Sequence, residues 1–123
     1  MNHPKWYFVR NLCTVLGEIG DRSAVPVLLR GAAHPDYRVR REAVSALGKL
    51  RSPEAVPALG MLLSNEGLFE PGGVVSVRIA AALTLNRIGG TEAESYLHRA
   101  LSSRKPAVRD FCRKLITSKE VLR

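Results

Sequence analysis

The stretch "VRREAVSALGKL", residues 39–50, decides how this chain folds. Val39, Ala43, Ala46, Leu47 and Leu50 recur at intervals of three and four, the period of one helix face. The stretch also has copies. Residues 3–30 lie over 34–61 at an offset of 31, with His3-Pro4 on His34-Pro35, Trp6 on Tyr37 and Leu16-Gly17 on Leu47-Gly48. Ala24-Val25-Pro26 then falls on Ala55-Val56-Pro57, and in this register Val39-Arg40 has Phe8-Val9 as its partner. At a shift of 38 a third copy appears, carrying Val39-Arg40 to Val77-Arg78, Ala43 to Ala81 and Leu50 to Ile88. A fourth begins at Val108-Arg109 and fades near Ile116. A unit repeated in phase is one that stacks on its neighbours to bury a face it cannot bury alone.

Each unit reads as a helix pair, and the fold class as all-α without a sheet. In "DRSAVPVLLRGA" Asp21 is placed to cap the short helix, and Pro26 is expected to bend it by removing one donor. In "SPEAVPALGMLL" Ser52 is the expected cap and Pro53 the first helical residue. Thr91 and Glu94 have capping-box spacing, and Gly20 and Gly89 are expected to end two longer helices. Gly67, Pro71, Gly72 and Gly73 mark residues 65–74 as an insertion loop, with Leu68 and Phe69 able to fold back on the neighbouring helices.

Helix pairs of about 31 residues with V-R-x-x-A-x-x-A-L-G on the second helix resemble HEAT repeats, in particular the short repeats of the phycobilisome-lyase type. The resemblance covers nearly the whole chain and implies a right-handed α-solenoid. It implies a half repeat at 4–19, repeats at about 21–50, 52–89 and 91–117, and a single domain over 1–123. Opening on a second-type helix, with Trp6, Tyr7 and Phe8 in a row, points to a longer parent protein or to a partner. Self-association through those aromatics is one such expectation.

The resemblance also implies that the second helices line a concave surface whose variable side chains meet ligands. By register these are Tyr7, Arg10, Asn11, Thr14 and Glu18, then Arg38, Arg41, Glu42, Ser45 and Lys49. Ser76, Ile79, Ala80, Leu83 and Arg87 follow, and Ala107, Asp110, Phe111 and Lys114 complete the rows. Arg38, Arg41 and Lys49 are expected to select acidic residues, with Ile79, Leu83 and Phe111 as apolar anchors. Arg40, Arg78 and Arg109 of the repeated V-R pair are implied to be structural, bonding between neighbouring repeats.

Composition narrows the function. With 19 Lys and Arg against 11 Asp and Glu the net charge is +8, suited to an acidic protein partner or, alternatively, to nucleic acid. Apolar runs such as "IAAALTL" are far short of the ~20 residues of a membrane span, and the start lacks a secretory pattern, so a cytoplasmic location is expected. Cys13 and Cys112 read as buried free thiols at opposite ends of the stack. The histidines His3, His34 and His98 do not cluster as metal ligands, and His3 and His34 precede prolines as turn residues. Deoxyhypusine hydroxylase, also built of such repeats, holds iron through His-Glu pairs; here the matching position is Arg41-Glu42, so that activity is rejected. HEAT-like alkylpurine DNA glycosylases use a concave aromatic pocket, whereas Trp6 is the sole tryptophan here. No cofactor and no catalytic residue is expected. The sequence therefore reads as a protein-interaction or scaffold module.

Overall fold

The computed structural model describes residues 5–65 and 74–122. Its helices are α1 (Trp6–Ile19), α2 (Val25–Gly31), α3 (Tyr37–Leu50), α4 (Val56–Leu63), α5 (Val74–Ile88), α6 (Thr91–Arg99) and α7 (Pro106–Leu122). Among the described residues there is no strand, and no helix is long and apolar enough to cross a membrane. Most of the expected insertion loop, residues 66–73 with Leu68 and Phe69, lies outside the described residues, as do His3 and Pro4; Val74 already opens α5.

The helices form two layers. In one, α1 packs on α3, α3 on α5 and α5 on α7; the short helices α2, α4 and α6 back onto α3, α5 and α7. This produces one continuous apolar core running from Cys13 to Cys112. Its centre is Leu28, Val39, Leu47, Leu59, Leu63, Leu85, Leu97 and Val108, all 0–1% exposed. Burying a leucine of this kind contributes about 1.5–3 kcal/mol, so the stripe that repeats in the sequence is also what holds the stack together.

Prolines and caps act differently from the sequence reading. Pro26 does not bend α2, because a 3-10 turn at Arg22–Ala24 precedes the helix and leaves Pro26 in its first turn, where no intrahelical N–H bond is needed. Asp21 caps that turn, accepting from Ser23 N at 2.9 Å. Ser52, fully buried, likewise precedes a 3-10 turn, Pro53–Ala55, but its hydroxyl meets the Glu54 carboxylate instead of capping the backbone. The capping box at Thr91 does not form: Gly90 is the cap residue, and the Glu94 carboxylate reaches Lys119. Gly20 and Gly89 end α1 and α5 at φ 78° and 77°. Arg51 stands at the same repeat position after α3 and takes φ 49°, a left-handed geometry that disfavours a residue with Cβ.

One close approach sets the α1–α3 joint. A Cβ added at Gly17 would lie 2.8 Å from the Ala46 Cβ, so glycine on α1 faces alanine on α3 and the two backbones come near contact. Farther along, Thr84 Oγ1 of α5 donates to the Val44 carbonyl of α3 at 3.2 Å.

Candidate partner-binding face

The expected face is built from the outward sides of α1, α3, α5 and α7. On α1, Tyr7 and Asn11 are exposed, while Arg10 and Thr14 are half-buried. Arg10 donates to Asn11 Oδ1 through Nε at 3.3 Å and Nη2 at 3.1 Å, and the Thr14 hydroxyl donates to the Arg10 carbonyl. On α3, Arg41 and Lys49 are exposed and Glu42 and Ser45 half-buried. On α5 and α7, Leu83, Arg87 and Lys114 are exposed. Ile79 and Phe111, expected as anchors, are half-buried and packed on the core, so part of their apolar surface is already used.

The fold brings four of these residues together. Ser45, Ala80, Leu83 and Arg87, joined by Thr84, line a cleft of about 60 Å³ between α3 and α5. Leu83 is 46% exposed and shares this lining with Arg87, so an apolar contact and a positive charge border the same cleft. The cleft has room for a side-chain tip. Tyr7, Arg10, Asn11 and Thr14 are not among its lining residues.

Arg38 has a different setting from the one expected. Its Nε and Nη2 fork the Asp36 carboxylate at 3.0 and 2.8 Å, and its guanidinium lies 3.4 Å from the centroid of the Trp6 ring. Arg10 approaches the same ring at 5.0 Å. Asp36 is buried, caps α3 by accepting from Arg38 N, and donates its own backbone N–H to His34 Nδ1 at 3.0 Å. The Arg38 hydrogen bond holds the Asp36 carboxyl down at about 2, and Asp36 in turn raises the Arg38 pKa. Arg38 thus clamps α1 to α3 through Trp6, and its charge is answered within the molecule. The sequence reading missed this clamp; the only signal for it was the aromatic register that sets Trp6 over Tyr37.

The V-R arginines occupy three distinct settings. Arg78 is 2% exposed; its Nε donates to the Leu63 carbonyl at 2.8 Å and its Nη2 to Ser103 Oγ at 3.2 Å, tying α4 to the turn that precedes α7. Arg40 Nη1 donates to the His34 and Pro35 carbonyls at 2.9 and 3.0 Å, closing the turn inside its own repeat. Arg109 lies 3.7 Å from its exposed neighbour Asp110. Of these, the Arg78 bonds are the ones that span repeats. Cys13 and Cys112 are buried and unpaired; burial raises both thiols, Cys112 to about 11. Among the described residues, no three His, Cys, Asp or Glu side chains are placed to hold a metal.

A second concavity, about 610 Å³ and wide open, runs between α2 and α4 on the opposite layer; Leu29, Ala32, Ala58, Met61 and Leu62 line it, with Arg40.

This arrangement of paired helices in two layers agrees with the family comparison: residues 1–68, more than half the chain, match HEAT repeats. The chain belongs to the HEAT-repeat family. Residues 77–103 match the PBS lyase HEAT-like repeat, which extends the likeness over most of α5 and all of α6. A stretch of 56 residues is 40% identical to the phycocyanobilin lyase subunit alpha of Picosynechococcus sp., covering 46% of this chain. That stretch spans only 21% of the lyase subunit, so the likeness is one of HEAT repeats and not of whole proteins. HEAT repeats generally serve in protein–protein interaction or as scaffolds, and that coarse role applies here.

Proposed function

We propose that this HEAT-repeat chain is a cytoplasmic binding module, not a catalyst, and that its α3–α5–α7 face receives an acidic protein segment bearing apolar side chains. The cleft between α3 and α5 carries this reading, because the exposed part of Leu83 and Arg87 both border it, with Arg41, Lys49 and Lys114 also exposed on these helices. A leucine side chain would seat on Leu83 while flanking carboxylates meet the cations. Rigid helices hold these groups in place beforehand, so little ordering cost falls on the protein side. Arg38 is better assigned to the Trp6 clamp than to ligand selection. The buried, unpaired thiols suit a reducing compartment.

A peptide library displayed on phage and selected against the chain tests this. Selected peptides should be acidic and apolar and should lose at least about tenfold in affinity for the Leu83→Ser, Arg87→Glu variant, a loss of about 1.4 kcal/mol. Equal binding to the variant overturns the reading. The +8 net charge favours nucleic acid as the second reading. It predicts that labelled oligonucleotides bind with an affinity falling steeply with salt, as phosphate contacts release counterions, and that Arg41→Glu and Lys114→Glu abolish binding.

A further inference from the structure

The aromatic trio at the start of α1 does not form one patch. Trp6 is half-buried beneath Arg38, whereas Phe8 is 66% exposed. Phe8 belongs instead with Leu12, Val15 and Ile19, exposed by 43%, 49% and 66%, at spacings that place all four on one helix face. In the repeat register this set corresponds to Val39, Ala43, Ala46 and Leu50 of α3, which are 0–6% exposed because α1 and α2 cover them. The α1 face is therefore the surface that becomes a joint in the next repeat.

Its chemistry narrows what can cover it. Ala43 and Ala46 are small, and Ala46 meets Gly17 nearly backbone to backbone. Leu12 and Val15 hold the equivalent places on α1, and their bulk requires wider spacing and a partner whose own large side chains interdigitate with them. The far end of the stack offers less of that: α7 exposes Arg113, Lys114, Thr117 and Ser118, and its exposed large apolar side chains, Val121 and Leu122, are confined to its last turn. A second α1 does offer it. Lys5 stands exposed at the N-terminal end of α1, and Glu18, with Asp21 and then Arg22 just beyond the helix, at its C-terminal end. Antiparallel pairing brings the basic end of each helix to the acidic end of the other, while parallel pairing sets like on like.

We propose that two copies of this chain pair across a two-fold axis through the Phe8, Leu12, Val15 and Ile19 face of α1, with the two helices antiparallel. The association is closed at two copies, because an isologous contact consumes the same patch on both partners. One helix face is smaller than the roughly 800 Å² per partner of a standard interface, so the dimer is a reversible one of modest affinity. The face is separate from the α3–α5 cleft and does not depend on that reading.

Sedimentation equilibrium of the chain over a wide concentration range is the test. The expected result is a mass that rises from one chain to two and stops there. Leu12→Asp with Val15→Asp should remain monomeric at concentrations at least tenfold higher, with unchanged helicity by circular dichroism. A wild-type chain that stays monomeric at its solubility limit, a mass that climbs past two, or a double variant that still dimerises overturns the proposal. Orientation is read separately by mixing Phe8→Cys with Ile19→Cys chains under mild oxidation, since the native thiols are buried and raised in pKa. The mixed disulfide should form faster than either self-disulfide; faster Phe8→Cys self-linking means parallel pairing and overturns it.

Discussion

The outward face of α1 presents Phe8, Leu12, Val15 and Ile19 to solvent, while α7 at the other end of the stack exposes Arg113, Lys114, Thr117 and Ser118. Both helices carry the same repeated pattern, yet the α1 face is apolar and the α7 face largely polar, with Val121 and Leu122 exposed only in its last turn. A polar face suits contact with water, and α7 comes nearer to that than α1. The contrast is sharper because the interior equivalents of the α1 face are known: Val39, Ala43, Ala46 and Leu50 are buried in the α1–α3 joint. Identical register thus yields a core in one place and an open surface in another.

Substitutions at register-equivalent positions should show that difference directly. Ala46→Asp buries an unpaired carboxylate at a site 1% exposed and should cost about 4 kcal/mol or more in urea unfolding. Val15→Asp, at the matching position on α1, should cost under about 0.5 kcal/mol at concentrations where the chain is monomeric. Comparable losses at both sites would mean that the α1 face is already covered.

Next in size is Arg78→Ala at the joint nearer the polar end. It leaves the buried Leu63 carbonyl and Ser103 hydroxyl without their guanidinium partner and should cost about 2–3 kcal/mol. Arg109→Ala, at the equivalent but half-buried position, should cost little. Equal effects would show that the joint does not depend on the Arg78 bonds.

The clamp at the apolar end gives a pH signature. The Asp36 carboxyl sits at about 2 against an ordinary 3.8, so its contribution is complete above pH ~4 and fades as the pH falls toward 2. Acid unfolding of the wild type should therefore steepen over that window by on the order of 1–2 kcal/mol, and Asp36→Asn should flatten it. Trp6 fluorescence, reporting on the stacked Arg38, should change over the same range. A flat wild-type profile would show that the clamp adds nothing to stability.

Arg51→Gly is the smallest and has the opposite sign. It places glycine at φ 49°, where the neighbouring repeats already carry Gly20 and Gly89, and should stabilise the chain by about 1 kcal/mol. Destabilisation would mean that the Arg51 side chain makes a contact outweighing the backbone strain.

The repeat was legible because stacking demands the same buried positions each time: Val39, Ala43, Leu47 and Leu50 lie on the core stripe that the sequence spacing marks out, and Gly20 and Gly89 end helices as glycine usually does. Local features at element starts were read less well. Pro26 and Thr91 each admit more than one local geometry, and the 3-10 turn and Gly90 decided between them. For the candidate face, the register named Ser45, Leu83 and Arg87 but could not show that these meet in one cleft while Arg10 turns to Asn11 and Trp6. Nor could it separate Arg38, spent on Asp36, from Arg41, which is exposed.

Period and composition alone determined that this chain is a stack of helix pairs with a common core stripe, because hydrophobic burial depends on which residues share a face and those recur along the chain. Tertiary structure alone decided which of two identical register positions is core and which is surface, and which arginine is free to meet a partner. Those outcomes depend on what lies across from a side chain, and neither the repeat at Val15 and Ala46 nor the arginines at 38 and 41 carry that information in sequence.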